Sequence, residues 1–145
     1  MAVNTQAEAH KALVRRFVDE FWSRGNLDAA DALMARDAVI HEPVAGTPED
    51  LKAVATAMRA AFPDWHSTVE EMIVEGDRLV ERWTGRGTHQ GEFQGIPPTG
   101  KTVAVPGVVF YRIAGGKIVE FRGHFDRLSL LEQIGVMPGA SAAVP

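Results

Sequence analysis

The chain contains no cysteine, which excludes disulfides, thiolate metal sites and thiol nucleophiles together. Serine is sparse and no nucleophile elbow occurs, which removes the usual hydroxyl nucleophile. No Gly-x-Gly-x-x-Gly or phosphate loop is present, so no nucleotide cofactor is expected. The five histidines show no HxH, HExxH or carboxylate-triad spacing, and no metal site is expected. Charge of one sign never runs on, and the net charge is -4 with a pI near 5.7. That balance argues against nucleic acid as a partner. No apolar stretch approaches membrane-spanning length, and the first eleven residues lack the apolar core of a signal peptide. A cytoplasmic protein with no membrane partner is therefore expected.

What remains is 145 residues, 46% hydrophobic and 23% charged, enough for one domain with its own core. A single domain over residues 1–145 is expected, with a frayed tail at 139–145. Thr5-x-x-Glu8 reads as a capping box, followed by Leu13, Val14, Phe17, Val18, Phe21 and Trp22 at helical spacing. Gly25 is the expected stop, and a short second helix is expected from about Asp28 to Met34. Ala38 to Glu42 reads as a brief strand broken by Pro43. Thr47-x-x-Asp50 with Pro48 opens a third helix, whose apolar face is Leu51, Val54, Ala55, Met58 and Phe62.

After Pro63 the period changes from helical to alternating. His66 to Glu75, Arg78 to Thr88, Thr102 to Ala114 and Lys117 to Asp126 read as strands, joined in part by the turns Gly76-Asp77 and Gly115-Gly116. A closing helix is expected from Leu128 to Ile134. Helices first and an antiparallel meander second make an α+β chain.

Several side chains are candidates for chemistry. Alternation along the last strand groups Ile118, Glu120, Arg122, His124 and Asp126 on one face, with Val119, Phe121 and Phe125 on the other. Asp126 is either a pocket carboxylate or the N-cap of the helix that follows. His124 and Arg122, on the same face, either assist it or lie partly exposed. Arg82 shares a face with Val80 and Thr84, and either approaches Asp126 or makes an outward salt bridge. His41, closing the first strand, is either a functional residue or a hydrogen-bonded structural one. Trp22, Phe62, Trp65, Trp83 and Phe110 are candidate walls for a flat apolar substrate, or simply core.

Four segments carry a resemblance: Gly87-Thr88-His89, Gly95-Ile96-Pro97-Pro98-Thr99-Gly100, Gly116-Lys117-Ile118-Val119-Glu120 and Leu130-Leu131-Glu132-Gln133-Ile134-Gly135. From the first helix to Gly135 the chain resembles the SnoaL-like polyketide cyclases of the nuclear-transport-factor-2-like superfamily. The resemblance implies a cone of curved antiparallel sheet packed on the N-terminal helices and enclosing a pocket. It further implies a cofactor-independent cyclase that closes a ring in a small apolar carbonyl substrate by intramolecular aldol addition. Asp126 would then be the acid/base, aided by His124, Arg82 or His41. The family's histidine on the preceding strand corresponds here to Phe110 or Arg112. The second reading is a limonene-type epoxide hydrolase, in which Asp126 would activate water and Arg82 would polarise the ring oxygen. Those hydrolases share the fold but carry an Arg-x-Asp pair gripping the epoxide, where this chain has Arg82 and Thr84. A non-catalytic binder of apolar ligands is the third reading. A homodimer or homotetramer is expected through outward strand positions such as Val69, Ile73, Val103 and Val105.

Overall fold

The structure is a computed structural model and describes residues 2–136, with side chains from Thr5 onward. The tail expected to fray, 139–145, lies outside the described residues. Helix α1 spans Ala2–Phe17, so Thr5 and Glu8 sit inside it rather than at its start. Its apolar stripe continues into a π-helical turn, Val18–Ser23, which keeps Val14, Phe17, Val18 and Phe21 buried in one line. The wider turn is closed by Arg24 N–H donating to Asp19 O at 3.0 Å. Single π-helical turns of this kind often occur where a helix must aim a side chain at a functional site.

Helix α2, Asp28–Leu33, leads into strand β1, Met34–Glu42. The strand starts four residues earlier than its alternation suggests, because the exposed Arg36 and Asp37 interrupt the apolar pattern. Helix α3, Pro48–Ala61, opens on the expected capping box. The Thr47 N–H donates to Asp50 Oδ2 at 2.8 Å. Strands β2 (His66–Glu75), β3 (Arg78–Thr88), β4 (Thr102–Ala114) and β5 (Lys117–Phe125) follow, and helix α4, Arg127–Gln133, closes the fold.

The five strands form one sheet in the order β1-β5-β4-β3-β2. The four later strands make the antiparallel meander, and β1 adds to β5 in parallel. That parallel edge is a departure from the wholly antiparallel sheet expected. It arises because the chain crosses from β1 through α3 before reaching the meander. The helices cover the concave face. Phe17 packs edge-on against Tyr111 and Phe121, with ring centroids 6.5 and 6.3 Å apart. This contact fixes which face of every strand is inside. On β3 it is Leu79, Glu81, Trp83, Gly85 and Gly87; on β4, Val103, Val105, Gly107, Val109 and Tyr111; on β5, Ile118, Phe121, Gly123 and Phe125. No helix among the described residues is long and apolar enough to cross a membrane.

Candidate active site

Between the concave sheet and the helices lies a cavity of about 300 Å³. Its walls are built from tryptophans seated on glycines. The indole of Trp83 lies across Gly107 on β4, and that of Trp65 across Gly85 on β3. A Cβ added at either glycine would come within 2.1 Å of the ring above it. The two indoles meet edge to face at 6.3 Å, while Trp65 Nε1–H donates to Ser67 Oγ at 3.1 Å. Trp22 enters from the π-helical turn and Met58 from α3. Arg59 holds these two elements together. Its guanidinium donates to the carbonyls of Trp22 and Ser23 at 2.8 Å and of Trp65 at 3.1 Å, satisfying backbone acceptors left open where the turn ends.

The Gly-rich loop between β3 and β4 shapes the cavity rim. Gln90 N–H and Gly91 N–H donate to Ala61 O at 3.0 and 3.1 Å, so the loop caps the C-terminal end of α3. Gly91 is required there, since a Cβ would sit 2.1 Å from Ala60 O. The loop then turns back through Phe93 and Ile96, with Gln94 at φ 48°. Glu92, Phe93 and Gln94 are thereby carried to the cavity. In the sequence this loop reads only as a family signature; the fold gives it a lining role.

Among the described residues the one carboxyl buried in the wall is Glu81, only 1% exposed. Its Oε1 accepts the Tyr111 hydroxyl at 2.9 Å, and its Oε2 has no hydrogen-bond partner. Burial raises its pKa from 4.5 to about 7, against a smaller lowering by the Tyr111 hydrogen bond. Tyr111 is itself fully buried, and loss of solvent followed by the adjacent Glu81 pushes its pKa well above 10.0. Sequence reading missed Glu81, although a signal was present. It stands between Leu79 and Trp83 at alternate positions, a charged residue in an apolar register.

The residues singled out from sequence divide by face. Trp22, Trp65 and Trp83 line the cavity as expected. Phe62 is buried behind it, packed on Trp65, His89 and Phe93, and supports the wall without lining it. Phe110 is 49% exposed and points away. Arg82 is exposed on the convex face and pairs with Glu71 at 3.2 Å, so the role expected for it in gripping an epoxide has no place in the cavity. Arg122 and His124 also leave the sheet outward, both meeting Glu42, at 3.3 and 3.0 Å. His124 nevertheless reaches the cavity rim. His41 bonds Glu120 at 2.9 Å in a neighbouring outer cluster. The Arg112 hydrogen bond, then that of His41, holds the Glu120 carboxyl below its usual range.

Asp126 is exposed and not among the lining residues. Alternation ends at Phe125, whose side chain turns inward, and the next residue caps α4: Asp126 Oδ1 accepts the Ser129 N–H at 2.9 Å. The expected face is therefore reversed for the whole group Glu120, Arg122, His124 and Asp126. Ile118, grouped with them by alternation, is instead buried on the Phe121 side, because the β4–β5 register shifts beside Arg112 and Ile113, and Phe121 against Phe17 decides that this is the concave face. The outward valines are corrected for the same reason: Val103 and Val105 are buried and Val69 packs on the core, leaving Ile73 alone of that set exposed.

Comparison with known proteins agrees with this architecture. Two curated relatives, the aklanonic acid methyl ester cyclases DauD of Streptomyces sp. (strain C5) and DnrD of Streptomyces peucetius, are each 29% identical over 129 residues. The match covers 85% of this chain with 80% of DauD and 88% of DnrD. The crystal structure of AclR from Streptomyces galilaeus, to which a hydroxylase activity has been ascribed, superposes with a TM-score of 0.80 at 33% identity, covering 89% of this chain and 96% of that one. The sequence profile of the SnoaL-like polyketide cyclases matches residues 12–134. With an α+β fold of curved sheet on helices and a match over most of its length, the chain belongs to the SnoaL-like polyketide cyclase family.

Proposed function

We propose that this protein closes a carbon–carbon ring in a small, flat, apolar carbonyl compound by intramolecular aldol addition. The observation that carries the reading is the apolar cavity, walled by Trp22, Trp65 and Trp83 and holding about 300 Å³. Small-molecule sites span roughly 300–1,000 Å³, so one or two fused rings suit it better than four. A slot of this shape does the entropic part of the reaction by holding a flexible chain folded, with nucleophilic carbon and acceptor carbonyl in contact. The relatives DauD and DnrD, named as aklanonic acid methyl ester cyclases, support the reaction type; the size of the cavity favours a small substrate. The epoxide hydrolase reading finds no arginine on the cavity wall among the described residues.

The test is incubation with aklanonic acid methyl ester and with one- and two-ring aryl β-keto esters bearing a pendant ketone. The expected product has unchanged mass, one ketone carbon fewer and one new carbinol carbon by NMR. A product heavier by one water or one oxygen atom would sink the reading.

Assembly is part of the same proposal. Ile73, Val80 and Phe110 stand side by side across β2, β3 and β4 on the convex face, and Ile73 is 60% exposed. The ion pairs Arg82–Glu71 and Arg122–Glu42 flank this row with charges already matched. A second copy meeting it about a twofold axis would cover apolar surface without burying an unpaired charge. Sedimentation should show a dimer at micromolar concentration, and Phe110→Glu should make it a monomer. A wild-type chain that sediments as a monomer refutes the interface.

A further inference from the structure

We propose that Glu81 is the proton-transferring carboxyl of this enzyme, held by the Tyr111 hydroxyl so that its free oxygen faces the bound substrate, and that Asp126 serves only as a helix cap. The identity of the overall reaction rests on the cyclase reading above; the proton transfer itself is tested independently of it.

Three observations converge. Glu81 is the only carboxyl buried among the described residues that line the cavity, and one of its oxygens has no partner. A buried polar atom left unsatisfied is costly and rare in folded proteins, and where it faces a cavity a ligand can supply the missing bond. Tyr111 occupies the other oxygen at 2.9 Å. The phenol is itself immobilised between Phe17 and Phe121, so one carboxyl oxygen is held and the other is the one left for a new partner. The rival carboxylate Asp126 is turned to Ser129 at the start of α4 and lies outside the cavity.

The step balances within the chain and substrate. The ionised Glu81 takes a proton from the carbon between two carbonyls, and the electron pair of that C–H bond becomes the enolate. The enolate carbon attacks the acceptor carbonyl, whose oxygen becomes an alkoxide. Glu81, now the acid, returns the proton to that oxygen, and the product is an isomer of the substrate with the carboxylate restored. A group half ionised near neutral pH can serve in both directions. Tyr111 is the positioning residue: among the described residues it makes the only hydrogen bond to the anion and so favours ionisation.

The probe is 5-nitrobenzisoxazole, a flat two-ring compound that opens to a coloured cyanophenolate when a base removes the proton on its isoxazole carbon and the N–O bond breaks. The wild-type protein should accelerate the opening, with a rate that rises through a single ionisation near pH 7. The other ionisable side chains lining the cavity are Glu92 and His124, both exposed, with His124 paired to Glu42. Glu81→Gln should lower the rate by about 100-fold or more, with folding checked by Tm. Glu81→Asp, which withdraws the carboxyl by one methylene, should also lose most of the rate, and covers the case in which the glutamine variant folds poorly. Tyr111→Phe should move the pH midpoint upward while retaining activity on the alkaline side, a shift that a purely structural tyrosine would not produce. Asp126→Asn should stay within a few-fold of wild type.

An equal or larger loss at Asp126, no loss at Glu81, or no acceleration by the wild type overturns the assignment. A midpoint that follows Glu92→Gln or His124→Gln also overturns it. Proton abstraction that depends on Glu81, without ring closure of any keto ester, would leave this assignment standing and remove the cyclase reading alone.

Discussion

Raising the pH of the wild-type protein from about 5 to about 8.5 is expected to cost about 3 kcal/mol of unfolding free energy through Glu81 alone. Its pKa is raised from the ordinary glutamate value of 4.5 to about 7 in the fold. Between those values the folded chain holds a proton that the unfolded chain has released. The folded state is therefore fully favoured below the unfolded value, loses stability as pH climbs between the two, and levels off above the folded value. Glu81→Gln removes the titration and keeps an oxygen to accept the Tyr111 hydroxyl. The variant should accordingly be more stable than wild type at pH 8.5, by an amount approaching the same 3 kcal/mol, or on the order of 10 °C in Tm. Near pH 5 the two should be close. Thermal unfolding of both proteins across that range is the measurement. Parallel curves would mean that Glu81 is solvated and already ionised. A residue that destabilises its own fold at the pH where it works is a common feature of active sites, where stability is given up for reactivity.

The other large effect concerns the glycines under the tryptophans. Gly107→Ala should push the Trp83 indole off the sheet and into the cavity, because the new Cβ would lie 2.1 Å from the ring. Gly85→Ala should do the same to Trp65, for the same separation. Overpacking of this kind costs roughly 1–3 kcal/mol. Neither glycine has the positive φ that would add backbone strain, so the effect isolates the contact with the ring. Each variant should show a lower Tm, a changed tryptophan emission, and at least about a tenfold weaker affinity for a one-ring aromatic ketone such as acetophenone, read by fluorescence quenching; that factor corresponds to about 1.4 kcal/mol. A variant with a lower Tm and unaltered ketone affinity would show that these rings are core and not binding surface.

Much of the fold was legible in the chain itself. The change from a 3.6-residue to a 2-residue period after Pro63 separates helices from strands, and the capping box at Thr47 and Asp50 starts α3 where the residues say. The turns at Gly76 and Gly115-Gly116, with positive φ at each of these glycines, set the hairpins, and the hairpins set the antiparallel register. These features depend on neighbours a few residues apart, so a linear sequence displays them. The parallel pairing of β1 with β5 joins residues such as Ile40 and Phe121, far apart in the chain, and no local signal announces it.

The site divides along the same line. That Trp22, Trp65 and Trp83 are large apolar surfaces available to a ligand is a property of their composition, and the cavity uses all three. Which side of the sheet they and their neighbours face is not. Period-two alternation is symmetric: it groups Arg82 with Val80 and Thr84, and Glu81 with Leu79 and Trp83, without saying which group is inside. The choice is made when Phe17 of the first helix buries its ring against Tyr111 and Phe121, since the apolar helix stripe can be withdrawn from water only against the more apolar sheet face. That packing turns Arg82, Arg122, His124 and Asp126 outward and encloses Glu81. The sequence by itself therefore determined the elements, their order and the aromatic character of the pocket. Tertiary packing alone decided which carboxyl would be stripped of water, and with it which one has a pKa near neutrality.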